Sequence, residues 1–108
     1  MSSSTKESPA GRPSSAEEDR PERPRRFRVV LHNDDYTTME FVILVLIRFF
    51  KKTESEATEI MLNVHHKGRG VAGTYPRDVA ESKVLQVMTF SEQNSMPLLV
   101  TTEPETIL

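Results

Sequence analysis

Apolar residues are nearly absent from the first 25 positions and then arrive in runs whose spacing changes along the chain. Phe27-Arg28-Val29-Val30-Leu31 favours an extended backbone and Asn33-Asp34-Asp35 behind it favours a turn, so a first strand should enter a polar loop. Thr37-Thr38-Met39-Glu40 has the form of a capping box, in which the Thr37 hydroxyl accepts from the amide three residues on and Glu40 reaches back. A helix is predicted to start there. Val42, Val45, Leu46, Phe49 and Phe50 recur at helical spacing, and Lys51 and Lys52 suit the carbonyl end of the helix dipole. Thr53-Glu54-Ser55-Glu56 repeats the box and opens a second helix with Ala57, Ile60, Met61 and Val64 on one face, which Gly68 should close in the left-handed conformation.

Gly70 to Tyr75 reads as a short, glycine-interrupted strand, and Pro76 suits the first position of a third helix. That helix should carry Ala80, Val84, Val87 and Met88 inward and end at Asn94 and Ser95, before a last strand over Leu98 to Thr102. The order β-α-α-β-α-β predicts an α+β fold, a single small two-layer α/β sandwich of three strands with three helices on one side. The 108 residues have room for one such domain. Residues 1–25 hold four of the seven prolines and offer little to bury against the entropy of folding. They are expected to form a disordered extension, with a folded core over 26–105 and a short tail over 106–108.

Charge and composition narrow the function classes. Without cysteine there is no disulfide framework, thiol nucleophile or cysteine-rich zinc site, which fits a reducing compartment such as the cytoplasm. Formal net charge is −2, and beyond Arg26 eight Lys and Arg stand against eleven Asp and Glu, so the cationic surface of a nucleic-acid binder is not expected. The longest apolar run, Phe41 to Ile47, is far short of the ~20 residues that span a bilayer, so no membrane partner is expected either. The first residues lack the apolar stretch of a signal peptide, which argues against export by that route. No internal repeat and no glycine-rich phosphate loop is present.

Two features carry candidate chemistry, the acidic turn Asn33-Asp34-Asp35 and the pair His65-His66 at the end of the second helix. Each has a plain reading: the turn side chains can bond local backbone, and an imidazolium near a helix C-terminus interacts favourably with the dipole. A zinc or non-haem iron site would need His and Asp to converge, yet adjacent residues on a helix point about 100° apart. A hydrolase would need a nucleophile on a strained elbow and an oxyanion hole, and neither pattern occurs. Nothing in these residues favours a metal, a cofactor or catalysis.

Asn33-Asp34-Asp35-Tyr36-Thr37-Thr38-Met39-Glu40-Phe41-Val42, Ala57 to His65, Val79 to Val84 and Pro97-Leu98-Leu99 together resemble the ClpS adaptor family, in order and over nearly all of the expected core. The resemblance implies the same sandwich fold and a part in the bacterial N-degron pathway. The family binds the N-terminal residue of a protein, a free α-amino group with a Leu, Phe, Tyr or Trp side chain, and delivers the protein to a ClpAP-type AAA+ protease. No enzyme activity and no cofactor are implied.

By the same resemblance Asn33, Asp34, Asp35 and His65 hold the α-ammonium, directly or through water, and Thr37, Met39, Val42, Met61, Val64 and Leu98 line an apolar pocket. These residue types are suited to such a ligand, since Asn offers a carbonyl oxygen, Asp an ionised acceptor and neutral His a ring lone pair. Met39 matches a gatekeeper whose bulk bars β-branched side chains. Asp78, Glu81 and Lys83 match the surface that meets the N-terminal domain of a ClpA-type unfoldase, and the N-terminal extension would help hand substrate over. The implied partners are thus N-degron peptides and that unfoldase domain, with the chain itself a monomer. The alternative is a structural interaction module, since a similar fold occurs in the C-terminal domain of a ribosomal stalk protein; that role needs no acidic turn paired with His65.

The sequence departs from the family pattern in two places. Thr38 stands where the family often has Pro, which a first helical turn should accommodate. Leu44 and Ile47 stand where polar residues are frequent, away from the Val42-Val45-Phe49 stripe, and either form an exposed apolar patch or pack against the sheet edge.

Overall fold

The computed structural model describes residues 25–105. The expectations for residues 1–24 and for 106–108 lie outside the described residues. Six elements follow in the expected order: β1 (Arg26–His32), α1 (Met39–Phe50), α2 (Glu54–Lys67), β2 (Arg69–Pro76), α3 (Arg77–Gln93) and β3 (Leu99–Pro104). The strands form one antiparallel sheet with β1 in the centre, β2 on one side and β3 on the other. Val29 pairs with Gly73 and Val30 with Val71, so Ala72 is the extra residue of a β-bulge.

The core lies between the sheet and the helices. Val29 and Leu31 of β1, Ala72 of β2 and Val100 of β3 meet Val42, Val45, Leu46 and Phe50 of α1, Ala57, Met61 and Val64 of α2, and Ala80 and Val87 of α3. Phe41 adds to the buried face of α1, its ring stacked 5.5 Å from Phe90. Met88, expected inside, is 43% exposed. The buried line of α3 runs through Ala80, Val87 and Ser91, and the residue after Val87 is turned about 100° away from it.

The helix ends differ in part from those expected. Thr38, not Thr37, is the N-cap of α1, its hydroxyl accepting from the Phe41 amide at 3.1 Å. Phe41 therefore occupies the position that a reciprocating carboxylate would need, and α1 has a single cap where a full box was expected. In α2 the box is complete between Thr53 and Glu56. Pro76 sits one place earlier than expected, as the N-cap of α3. Gly68 ends α2 with φ 87°, where a side chain would be strained. Among the described residues no helix is long and apolar enough to cross a membrane.

Candidate functional site

The loop between β1 and α1 is held at both ends by its own residues. At its start the Asn33 amide donates to the Gly68 carbonyl at 2.9 Å, which ties the end of β1 to the end of α2. The Gly68 amide still makes the helical bond to Val64 at 3.0 Å, and its left-handed backbone then turns the chain out of the helix into β2. Asn33 and His65, far apart in the chain, are thereby brought to one place. At the loop's end Thr38 caps α1 through the Phe41 amide, which fixes where that helix begins.

Between these elements is a cavity of about 260 Å³. Asn33, Asp34, Asp35, Thr37, Thr38 and His65 supply polar walls, and Met39, Val42, Met61 and Val64 the apolar ones. Val42, Met61 and Val64 are otherwise buried, so the floor of the cavity is an extension of the core, whereas Met39 is 47% exposed at its rim. Among the described residues the side chains of Asn33, Asp35 and His65 make no hydrogen bond. Three polar groups thus border an apolar hole without partners of their own, an arrangement suited to a cation carrying an apolar side chain.

Nine of the ten residues expected at the ammonium site and the pocket line this cavity. Leu98 does not: it is buried in the core ahead of β3. Thr38 lines the cavity in addition, and its place at the helix start follows from its being the cap. The capping pattern was the signal for it, displaced by one residue. His66 turns away from the cavity lining, its ring centroid 5.3 Å from that of His65. No group of three metal-ligating side chains occurs among the described residues.

A second set of expected residues lies on the first half of α3. Asp78 and Glu81 are exposed, and Arg77 donates to Glu81 at 3.4 Å across one helical turn. Lys83 is half-buried, with its ammonium donating to the Phe49 carbonyl at 2.7 Å, close to the rings of Tyr75 (5.8 Å) and Phe50 (6.0 Å). It therefore closes the C-terminal end of α1, where a positive charge is favourable. The neighbouring Tyr75 hydroxyl has its pKa raised by burial. Leu44 and Ile47 are 46% and 41% exposed, which places both on the solvent side of α1.

Comparison with known proteins agrees with this fold. Residues 22–101 match the model of the family "ATP-dependent Clp protease adaptor protein ClpS". The chain is 55% identical over 95 residues to an ATP-dependent Clp protease adapter protein ClpS of Deinococcus radiodurans, covering 88% of this chain and 84% of that one. With the corresponding protein of Bdellovibrio bacteriovorus it shares 57% over 82 residues, 76% of this chain and 72% of the relative. Among solved structures, Agrobacterium tumefaciens ClpS2 bound to L-phenylalaninamide superposes with a TM-score of 0.74 at 38% identity, over 77% of this chain and 100% of that one. Motif order, fold and sequence identity all lead to one assignment: the chain belongs to the ClpS family of ATP-dependent Clp protease adaptors.

Proposed function

We propose that the chain binds the N-terminal residue of a protein, a free α-ammonium beside a Leu, Phe, Tyr or Trp side chain, and presents that protein to the N-terminal domain of a ClpA-type AAA+ unfoldase in the cytoplasm. The observation that carries this reading is the meeting of Asn33, Asp35 and His65, unpartnered among the described residues, at a cavity floored by Val42, Met61 and Val64. The polar groups accept from the ammonium and the floor takes the apolar side chain, so neither half of the ligand alone fills the site. The ligand seen in the Agrobacterium relative supports it, since phenylalaninamide offers a free amine, a phenyl group and no carboxylate.

Binding contributes in two parts. A hydrogen bond to a charged donor is worth roughly 1.5–3 kcal/mol, and burying a Leu- or Phe-sized side chain roughly as much again. Met39 at the rim narrows the entrance for side chains branched next to the backbone. The chain performs no catalysis in this scheme; it holds its ligand without a nucleophile or a metal. Asp78 and Glu81 form the exposed part of the unfoldase-facing surface, while Lys83 supports it from behind through α1.

The test is titration of the chain with a short Phe-initiated peptide and with the same peptide N-acetylated. Acetylation removes the positive charge and leaves the acceptors unmatched, so affinity should fall by at least about tenfold, as expected from the loss of one charged hydrogen bond or more. Equal affinity for the two peptides would refute the assignment of the ammonium site.

A further inference from the structure

All three helices meet β1 on the side of Val29 and Leu31, so Arg28, Val30 and His32, which alternate with them, face away from the helical layer. A valine in the middle of that open face should be wet, yet Val30 is 0% exposed. Its neighbours across the sheet, Val71 on β2 and Thr101 on β3, explain only part of this, since Val71 is itself exposed. The rest of the cover comes from further along the strands. Arg69 is paired with His32, two residues beyond Val30, and Glu103 with Arg28, two residues before it. Their side chains nonetheless form an ion pair, in which the Arg69 guanidinium donates to the Glu103 carboxylate. A contact between those positions crosses the central strand on the diagonal, and Val30 stands at the middle of that diagonal. Glu103 has a nearer cation in Arg28, its direct cross-strand neighbour, but among the described residues its ion pair is with Arg69.

We infer that the Arg69–Glu103 pair is a strap that covers Val30 and takes the place of a second layer on the open face of the sheet. The inference stands independently of the function proposed above. An arginine stem is suited to the task, because it packs on apolar surface while its guanidinium remains in water. Both side chains are partly exposed, so their charges hold the cover in place and add little stability of their own. The diagonal also divides the face. Val71 lies on one side of it and Leu99 on the other, both exposed, and the strap keeps them from joining Val30 in one apolar patch. On the Leu99 side the His32 ring bonds the Thr101 hydroxyl at 2.8 Å, which adds a polar edge to the cover.

Urea unfolding of the full chain tests the strap in two ways. Arg69→Ala, Glu103→Ala and the variant carrying both should each lower the ratio of folded to unfolded chain by a similar factor, roughly fivefold to tenfold, because the cover over one valine is lost once whichever end is cut. Val30→Thr then reports on water at the centre of the face. In the strapped chain it buries a hydroxyl and should lower the same ratio by roughly tenfold. In the Arg69→Ala/Glu103→Ala chain that hydroxyl meets water and threonine suits a strand, so the further change should stay within about twofold. Alanine costs that multiply in the double variant would overturn the inference, because the two side chains would then act separately. So would a Val30→Thr cost that is the same in both chains.

Discussion

The two ends of α1 meet opposite fates. At its start, Thr38 caps the helix and the surrounding side chains stop short of one another, leaving a cavity edged by Asn33, Asp35 and His65. At its end, the Lys83 ammonium closes on the Phe49 carbonyl, the Phe49 ring meets Phe90 edge-on at 5.2 Å, and the Arg48 guanidinium lies 4.8 Å from the centre of the Phe90 ring. One end is completed by the chain; the other keeps an open cavity. Asn33, Asp35 and His65 are exposed, so water serves them in the free chain, and what sets this end apart is their gathering beside an apolar floor. The same helix therefore serves as pocket wall at one end and as structural anchor at the other.

The difference predicts that binding and stability respond separately. His65→Ala should reduce affinity for a Phe-initiated peptide by about tenfold or more, the loss of roughly one hydrogen bond to a charged donor, with an unfolding free energy within ~0.5 kcal/mol of wild type. Lys83→Met should do the reverse. It keeps the apolar stem but removes the ammonium from the Phe49 carbonyl and from the Tyr75 and Phe50 rings, a loss of about 1–2 kcal/mol of stability with peptide affinity unchanged. Urea unfolding and peptide titration on the same preparations measure both. If His65→Ala proves as destabilising as Lys83→Met, the two ends are not distinct in the way their contacts indicate.

How far the sequence disclosed this arrangement depended on the range of the interaction concerned. Strand and helix order followed from local periodicity, and the left-handed ending at Gly68 followed from the residue type best suited to it. The corresponding ending of α1 was not legible, because Lys51 adopts φ 56° although it is not glycine. The support there comes from the amides of Lys51 and Lys52, which donate to the Leu46 carbonyl, and from the bond of Lys83 to Phe49, which joins residues on different helices. Site residues were visible as a pattern resembling the family, but their convergence rests on the Asn33 to Gly68 bond, which no local window contains. Leu98 shows the same limit. An apolar residue ahead of a strand reads alike whether it lines a cavity or fills the core, and here it joins the buried cluster that also holds Val42, Met61 and Val64.

A smaller effect should appear at the packed end of α3. Ser91 is 2% exposed on the buried line of the helix, and its hydroxyl has no hydrogen-bond partner among the described residues. A buried hydroxyl without a partner costs free energy, and alanine is the better helix former, so Ser91→Ala should raise stability by about 1 kcal/mol. Binding should not change, since Ser91 is remote from the cavity lining. A destabilised Ser91→Ala chain would mean that the hydroxyl has an acceptor after all, and that this region is less completely apolar than its neighbours suggest.

The smallest difference concerns the two helix starts, and it is visible only as a pH dependence. In α1 the Thr38 hydroxyl acts alone, whereas in α2 the Thr53 amide donates to the Glu56 carboxylate at 2.9 Å while the Thr53 hydroxyl accepts from the Glu56 amide at 3.1 Å. The Thr53 amide holds the Glu56 carboxyl below its ordinary pKa; desolvation opposes it, and the Thr53 hydroxyl and Lys52 add lesser effects in the lowering direction. A carboxyl whose folded pKa is depressed stabilises the fold above its unfolded pKa and loses that contribution as the pH falls through the folded value. Glu56→Gln keeps an acceptor but cannot ionise. The stability gap between wild type and Glu56→Gln should therefore be largest at neutral pH and close in acid, by a modest amount because the carboxyl is exposed. Urea midpoints followed from neutral to acid pH would show this convergence, while a gap that stays constant would mean that the box works through its hydrogen bonds alone and not through charge.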